Sequence, residues 1–400
     1  MNSTATTLEP TEQSTGLPKV VVVGTGGTIH SVGKNSLDIV RYGENKTMYD
    51  VTELLAKVTE TALVTQPVPI PYKAVGSPSI GPEIWVELVD VITKAVEEHQ
   101  PAGVVVTHGT ASLEETAYFL NLTLHVDVPV VVVGSQRPIS GISTDGAVNL
   151  VNALRVAADP CSRGMGVMVL LNDEIHSARE VAKTSTLRMQ TFRTRDFGVL
   201  GHADADKISF YRQPVRKRAP ETEFTVKTGD KLPRVDISYS YAGDDGTAID
   251  AFVAAGAKGI VSAGFAPGGA TDGEQEAFNR AADAGVQVMI STRAGSGRII
   301  AATWPRLRAL GFLAQGLSHR LRHDGADGDV RRYPHHPARH AFANRAFVLL
   351  EPHRPWLDRP WLAIPSVDCL GAGHPGHCGR GGRGVSARDR AREPCRQCPQ

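Results

Sequence analysis

Two threonines stand where apolar segments of strand length end in glycine-containing turns. Thr25 follows the run VVVVG at 20–24, and Thr110 follows VVVTHG at 104–109. In an open parallel sheet, ligands bind in the crevice beyond the carboxyl ends of the strands. A hydroxyl becomes a nucleophile when a base removes its proton, and a lysine desolvated in a cleft can be that base. Together with Lys183, the two threonines therefore predict nucleophilic chemistry in one crevice.

Other interpretations of these motifs are weaker. The segment GTGGTI at 24–29 has Ile29 where a dinucleotide-binding fingerprint requires its third glycine, which disfavours a nicotinamide-dependent oxidoreductase. The chain contains no P-loop motif and no G-x-S-x-G motif, so a nucleotide phosphate site and an α/β-hydrolase triad are also disfavoured. Taken alone, each glycine turn also fits a plain strand-to-loop connection, and His108 alone indicates a structural histidine rather than a base.

Apolar runs of strand length alternate with helical patterns through the first 213 residues. The runs lie at 20–23, 103–106, 129–133 and 166–171, and the helical patterns at 82–98, 112–122 and 145–157. This alternation indicates parallel βαβ units. A smaller set follows, with strands near 234–239, 259–263 and 286–291 and helices near 246–256 and 272–284. The predicted fold class is α/β: a large N-terminal domain with a mostly parallel sheet flanked by helices, and a smaller α/β C-terminal domain.

Composition and periodicity divide the chain into five segments. We expect a flexible arm at 1–18, an N-terminal catalytic domain at 19–213, a linker at 214–232, a smaller C-terminal domain at 233–314 and an irregular or disordered tail at 315–400. Residues 301–400 contain 16 arginines, 8 acidic residues and no lysine, whereas the whole chain has a net charge of +1. Because periodicity fails after residue 314, a shift of the coding frame near residue 315 is one explanation of the tail.

Bulk composition argues against several classes of protein. A net charge of +1 gives no global field that would attract nucleic acid or an anionic membrane. No stretch is long and apolar enough to span a bilayer, and the N-terminus lacks the pattern of a secretory leader. We therefore expect a cytoplasmic protein with neither nucleic-acid nor membrane partners. The irregular spacing of the cysteines and histidines in the tail argues against a zinc site formed by Cys369, Cys378, Cys395, Cys398, His374 and His377.

Several segments together resemble the bacterial-type L-asparaginase/glutaminase family, from about residue 19 to residue 314. The matching blocks, in chain order, are GTGGTI at 24–29, THGT at 107–110 with LEETA at 113–117, GSQRP at 134–138 with STDGAVNL at 143–150, Lys183-Thr184, and GIVSAG at 259–264. Five ordered blocks are more specific than any one of them alone.

The resemblance implies a mechanism that needs no metal and no organic cofactor. It assigns Thr25 as the nucleophile that attacks the side-chain amide carbon of a small substrate, assisted by Tyr42 on the following loop. Thr110 and Lys183 form a second catalytic pair. Ammonia leaves, and water hydrolyses the acyl-threonine. The resemblance also implies a homotetramer, with each active site between the large domain of one subunit and the small domain of its neighbour.

The predicted substrate-binding residues include a departure from the family pattern. Ser77, with Gly76, is expected to bind the α-carboxylate of the substrate, beside Gly109 and Ala111. Ala111 stands where the family almost always has an aspartate that holds the α-ammonium group, and Glu114 is the nearby acid that could compensate. Three hypotheses follow: hydrolysis of L-asparagine to L-aspartate and ammonia, hydrolysis of another small amide without an α-ammonium group, and a weak or inactive relative that binds a small acid or amino acid.

Overall fold

The computed structural model of the chain describes residues 16–297, residue 299 and a short strand at 313–314. The predicted tail at 315–400, most of the predicted arm at 1–18 and the cysteines considered for zinc lie outside the described residues. Within the described part, the chain forms two sheets flanked by helices and one small two-stranded ribbon.

The larger part of the fold contains ten strands. They are β1 (Lys19–Gly26), β2 (Gln66–Val75), β3 (Gly103–Thr107), β4 (Val130–Val133), β5 (Val167–Leu171), β6 (Glu174–Ser177), β7 (Ala182–Lys183), β8 (Phe192–Arg193), β9 (Gly201–Ala203) and β10 (Ile208–Phe210). Eight of them form one sheet in the order β10-β9-β6-β5-β4-β3-β1-β2. β1 to β5 pair in parallel, and β6, β9 and β10 extend the sheet antiparallel. β7 and β8 form the separate ribbon, which carries Lys183.

Helices cover both faces of this sheet because its central strands are apolar on both faces. The helices are α1 (Val51–Lys57), α2 (Thr61–Val64), α3 (Pro82–His99), α4 (Leu113–Thr123) and α5 (Gly146–Ala158). In β1, Val21 and Val23 join the core that contains α3 and α4, whereas Val20 and Val22 join the core that contains α1 and α5. A strand buried on both faces has a continuous apolar sequence, which is the pattern that predicted β1.

The edge strand β2 was not predicted, because its sequence QPVPIPYKAV places prolines at 67, 69 and 71. Proline donates no hydrogen bond to a neighbouring strand and is therefore a weak strand former. β2 ends the sheet beyond β1, and at an edge every second N–H group points away from the neighbouring strand. Prolines at alternate positions are compatible with that arrangement.

In the residues that the structure describes, the smaller part is a four-stranded parallel sheet with two helices. Its strands are β11 (Val235–Tyr239), β12 (Gly259–Gly264), β13 (Gln287–Thr292) and β14 (Leu313–Ala314), in that order, with α6 (Thr247–Ala254) and α7 (Asp272–Asp283). Ile249, Ile260 and Phe278 lie in its own buried core. The predicted fold class, a large and a small α/β domain, is confirmed.

Candidate active site

The turns that follow β1 and β3 meet at the carboxyl ends of these adjacent parallel strands. Gly24 pairs with Thr107 where the two strands end. Gly27 has a φ of +84°, and a Cβ atom there would lie 2.2 Å from Gly109 Cα. A Cβ atom at Gly109 would lie 2.8 Å from Ser77 Oγ. Glycine is required for such close approaches, so the two turns predicted to share a crevice lie against each other and against Ser77.

Thr25 is fully buried at the end of β1. Its hydroxyl donates a hydrogen bond to the Thr107 carbonyl at 2.8 Å, which ties the turn after β1 to β3. Lys183 contacts Thr110 rather than Thr25. In this conformation the Thr25 hydroxyl proton is held by the main chain, so attack by Thr25 on a substrate requires that proton to leave the carbonyl.

Thr110, Lys183 and Gln136 form a compact triangle of polar groups. Lys183 Nζ lies 2.6 Å from Thr110 Oγ1 and 3.3 Å from Gln136 Oε1. The Thr110 hydroxyl donates to Gln136 Oε1 at 3.2 Å. Burial of the Lys183 amine lowers its pKa below the usual value, against the opposing effect of the Glu114 carboxylate. A lysine with a lowered pKa in contact with a hydroxyl is suited to accept a proton from it.

Glu114, in the first turn of α4, faces the main chain of Lys183 and not an open subsite. Its carboxylate accepts a hydrogen bond from Lys183 N. Burial raises the pKa of the Glu114 carboxyl to about 7, and the neighbouring charge of Glu115 adds to this effect, whereas the bond from Lys183 N opposes it. Glu114 therefore anchors β7, the strand that carries Lys183. Its carboxylate is engaged there, whereas the sequence suggested that it could replace an aspartate at residue 111.

Ser77 and Ala111 belong to the predicted substrate-binding part of the site, and the structure adds Ser112 to them. The Ala111 amide donates to Ser77 Oγ at 3.1 Å, and the Ser112 hydroxyl donates to the Ser77 carbonyl at 2.6 Å. Ser77 is buried, and Gly76 precedes it at the end of β2. The methyl group of Ala111 is exposed next to this cluster. Because Ser77 Oγ accepts from the main chain, its own proton remains available for a carboxylate ligand.

Tyr42 contacts the first glycine turn, although not Thr25 itself. Its hydroxyl lies 2.8 Å from Thr28 Oγ1, three residues beyond Thr25. Tyr42 begins a short 3-10 turn at Tyr42–Asn45 in the loop that follows β1, and it is partly buried. This contact attaches the loop to the turn that carries Thr25.

Two histidines near these turns have structural environments. His108 is fully buried, with Nδ1 2.8 Å from Gly109 O and Nε2 2.9 Å from Thr116 Oγ1. Because a carbonyl can only accept, Nδ1 carries the proton and Nε2 accepts from Thr116. Burial lowers the pKa of His108 to about 4. His30 is also buried, with Nδ1 bonded to the Tyr49 carbonyl and Nε2 bonded to Thr107 Oγ1.

Gln136 was the functional candidate that sequence reasoning missed. It lies in the segment GSQRP at 134–138, which resembles the family, but the sequence analysis assigned it no role. The signal that could have identified Gln136 is its place in the turn after β4. Because β4 neighbours β3 in the sheet, this turn lies at the same edge as Thr110. The backbone of this turn is held by Asp145, the residue that precedes α5, whose carboxylate accepts from the amides of Gln136 and Arg137 at 2.9 Å each.

Among residues 16–297, 299 and 313–314, no group of three histidine, cysteine, aspartate or glutamate side chains is arranged to hold a metal ion. In those residues no helix is both long enough and apolar enough to span a membrane.

Comparison with known proteins matches both parts of the chain. Residues 19–216 match the family described as Asparaginase, N-terminal, and residues 234–318 match the Glutaminase/Asparaginase C-terminal domain. L-asparaginase 2 of Bacillus subtilis is 41% identical over 281 residues, which span 70% of this chain and 74% of that protein. The probable periplasmic L-asparaginase of Haemophilus influenzae is 37% identical over 281 residues, which span 70% of this chain and 79% of the relative.

A solved structure agrees with these matches. The crystal structure of the probable cytoplasmic L-asparaginase from Campylobacter jejuni superposes with a TM-score of 0.73 and 31% identity, covering 84% of this chain and 95% of that one. The fold and the sequence matches define an α/β amidohydrolase. The chain belongs to the asparaginase family and is an asparaginase-type enzyme that acts on a small amide.

Proposed function

We propose that this enzyme hydrolyses L-asparagine to L-aspartate and ammonia through an acyl-threonine intermediate on Thr25. Thr25 Oγ1 attacks the side-chain carbonyl carbon, the C–N bond breaks, and the nitrogen leaves as ammonia with the proton that Thr25 gave up. Water then attacks the acyl carbon, the ester bond to Thr25 breaks, Thr25 regains a proton, and aspartate leaves. The observation that carries this proposal is the 2.6 Å contact between Lys183 Nζ and Thr110 Oγ1, beside the turn that bears Thr25.

In this proposal Thr110 and Lys183 supply the base. Neither hydroxyl is a strong nucleophile until a proton is removed, and a positioned base contributes roughly 10²–10⁴-fold to the rate. The lowered pKa of Lys183 increases the fraction of neutral amine that can accept the proton. Tyr42 assists by holding its loop against Thr28 and thereby over the nucleophile.

Ser77 and the main chain around it are proposed to bind the carboxylate end of the substrate. The Ser77 hydroxyl has its proton free to donate, and Gly109 lies so close that a Cβ atom there would be 2.8 Å from Ser77 Oγ. Gly76, which precedes Ser77, adds no side chain to this subsite. Ala111 lacks a carboxylate for an α-ammonium group. The second candidate function is therefore hydrolysis of a small ω-amide that lacks this group, and the third is a weak or inactive relative that binds a small acid or amino acid.

The test of the proposal measures ammonia release from L-asparagine, L-glutamine and succinamic acid. The wild type is expected to release ammonia, Thr25→Ala to release none, and Thr93→Ala, the same change within α3, to behave as wild type. Intact-mass measurement after a rapid quench is expected to show the acyl adduct in wild type only. If Thr25→Ala still releases ammonia, Thr25 is not the nucleophile. If the wild type binds these compounds but releases no ammonia, the result favours the third candidate function, an inactive relative that binds a small acid or amino acid.

A homotetramer in the cytoplasm is the assembly and location that we propose. The family resemblance favours the tetramer, and light scattering of the purified protein tests it. Two of the relatives named above differ in location, since the Campylobacter jejuni protein is described as probably cytoplasmic and the Haemophilus influenzae protein as probably periplasmic. Cell fractionation with an antibody to the chain separates these two locations.

A further inference from the structure

We propose that Gln136 is a positioning residue that keeps the Thr110–Lys183 pair hydrogen-bonded in both of its protonation states, an inference that rests on the proposed function. Gln136 Oε1 lies within hydrogen-bond distance of both partners, at 3.2 Å from Thr110 Oγ1 and 3.3 Å from Lys183 Nζ. A single oxygen thus serves the two groups between which the proton moves.

The orientation of the Gln136 amide follows from its other contact. Gln136 Nε2 donates to the Arg188 carbonyl at 3.0 Å. A carbonyl accepts and never donates, so the NH₂ group must face Arg188 and the oxygen must face Thr110 and Lys183. The main chain is held as well, because the amides of Gln136 and Arg137 both donate to the Asp145 carboxylate. The side chain is therefore fixed at both ends.

Thr110, Lys183 and Gln136 can remain hydrogen-bonded to one another whether Lys183 is charged or neutral. When Lys183 is charged, its ammonium donates to Thr110 Oγ1 and to Gln136 Oε1, and the Thr110 hydroxyl donates to Gln136 Oε1. When Lys183 is neutral, its lone pair accepts the Thr110 proton and a remaining N–H donates to Gln136 Oε1. As Thr110 passes its proton to Lys183, it takes one from the attacking nucleophile. No donor loses its partner during this exchange, which avoids the penalty of an unsatisfied buried polar group.

An uncharged acceptor suits this position better than a carboxylate. The charged group that acts on the Lys183 ammonium is the Glu114 carboxylate on α4, which raises the pKa of the lysine. A second carboxylate at residue 136 would add to that effect and hold Lys183 in the protonated form. The glutamine supplies a hydrogen bond and leaves the lysine free to lose its proton.

The test uses two variants of Gln136 and a matched control in the full-length enzyme. Gln136→Met keeps the length of the side chain but removes the acceptor, and kcat is expected to fall about 10- to 100-fold with little change in KM, because the lost bond is made to a charged group. Gln136→Glu keeps an acceptor but adds a negative charge, which raises the pKa of Lys183. The acid limb of the pH profile, where kcat/KM falls as Lys183 becomes protonated, is therefore expected to move up by about 1 pH unit or more. Gln190→Met, the same change at an exposed glutamine bonded to Glu174, is expected to leave both unchanged.

Several outcomes decide between this inference and the proposed function. An unchanged kcat in Gln136→Met, or an unshifted acid limb in Gln136→Glu, overturns the role of Gln136. A purely structural role would lower the melting temperature or raise KM without moving the limb, and that result also overturns it. Full activity in Thr110→Ala and Lys183→Met overturns the proposed function instead. Loss of activity in those two variants, with Gln136→Met unaffected, leaves the proposed function standing and removes only the role of Gln136.

Discussion

Lys183 Nζ and Thr110 Oγ1 lie 2.6 Å apart although the two residues are separated by 73 positions in the chain. The two segments that carry these residues are also joined through the main chain. Thr110 directly precedes the segment that opens α4, and Glu114 in the first turn of that helix accepts a hydrogen bond from Lys183 N. The segment that carries Lys183 is thus joined to the segment of Thr110 and Glu114 by two contacts, one from its side chain and one from its main chain. A substitution at Glu114 is therefore expected to affect the contact between Lys183 and Thr110.

Thr110 and Lys183 are expected to act as a unit. Each of the variants Thr110→Ala and Lys183→Met should lower kcat/KM by roughly 10²–10⁴-fold, because a positioned base contributes that much. The double variant should lose little more than either single one, since residues that act together are strongly non-additive. Ammonia release measures all three, with Lys94→Met on the exposed face of α3 as the control. Losses that multiply in the double variant contradict the pairing.

Glu114→Gln is expected to shift the pH dependence of the reaction. The Glu114 carboxylate raises the pKa of Lys183, so its removal lowers that pKa and moves the acid limb of kcat/KM to lower pH. Glutamine retains an oxygen that can accept from Lys183 N, so the strand should stay in place. Glu115→Gln removes an equal charge one residue further along α4 and should move the limb less. A limb that moves upward, or that moves equally in both variants, is inconsistent with this contact.

The sequence predicted the central strands well because they are buried on both faces. The runs at 103–106 and 129–133 correspond to β3 and β4 within one residue at each end. The edge strand β2 was missed because its prolines are compatible with a strand only at the edge of a sheet. The position of a strand within a sheet depends on the other strands and cannot be read from its own sequence. The short antiparallel strands from β6 to β10 carry too few residues to show a period.

The candidate site was predicted in part, for a similar reason. Thr25 and Thr110 follow strands that are recognisable from sequence, so their turns could be placed at one edge. Gln136 was missed because its role depends on the path of the segment that brings the Arg188 carbonyl to its amide. The role of Glu114 likewise depends on the ribbon of β7 and β8, which sequence patterns did not indicate.

Tyr42 and Thr28 are expected to control the loop after β1 together. Tyr42→Phe removes the hydrogen bond at 2.8 Å, and Thr28→Val removes the same bond from the other side. Each should lower kcat/KM by about 5- to 30-fold, since a typical hydrogen bond contributes about 1 kcal/mol and loop closure adds to that. Steady-state kinetics of the two single variants and the double variant measure the coupling. If Tyr42→Phe has no effect while Thr28→Val does, the tyrosine hydroxyl has no part in holding the loop.

Ala111→Asp is expected to change the preference between amides. A carboxylate at residue 111, next to Ser77 and Thr110, supplies a partner for the α-ammonium of asparagine, and a hydrogen bond to a charged group is worth about 1.5–3 kcal/mol. KM for L-asparagine should therefore fall by about 10-fold or more relative to KM for succinamic acid. Ala111→Asn provides the control, because it has the same size without the charge. An equal gain in both variants would show that size, and not charge, is what residue 111 lacks.

His108 is expected to make the folded state sensitive to acid. Its pKa is lowered by burial from 6.5 to about 4, so between these values the unfolded chain binds a proton that the folded chain excludes. Stability from this group is complete above pH 6.5 and is lost as the pH falls towards 4. Glu114 acts in the opposite direction, because its raised pKa, about 7, favours the folded state as the pH falls from 7 towards 4.5. The two effects oppose each other in wild type over much of this range.

The contribution of His108 is isolated by comparison with His108→Gln, which keeps Glu114 and every other titrating group. Urea unfolding followed by fluorescence at pH 8, 7, 6 and 5 gives the difference in unfolding free energy between the two proteins. At pH 8 the variant should be the less stable, because the bonds to Gly109 and Thr116 are disturbed. By pH 5 the difference should shrink by about 2 kcal/mol, as only wild type retains an imidazole that the folded state keeps neutral. A difference that stays constant from pH 8 to pH 5 would mean that His108 is protonated as readily in the folded chain as in the unfolded one.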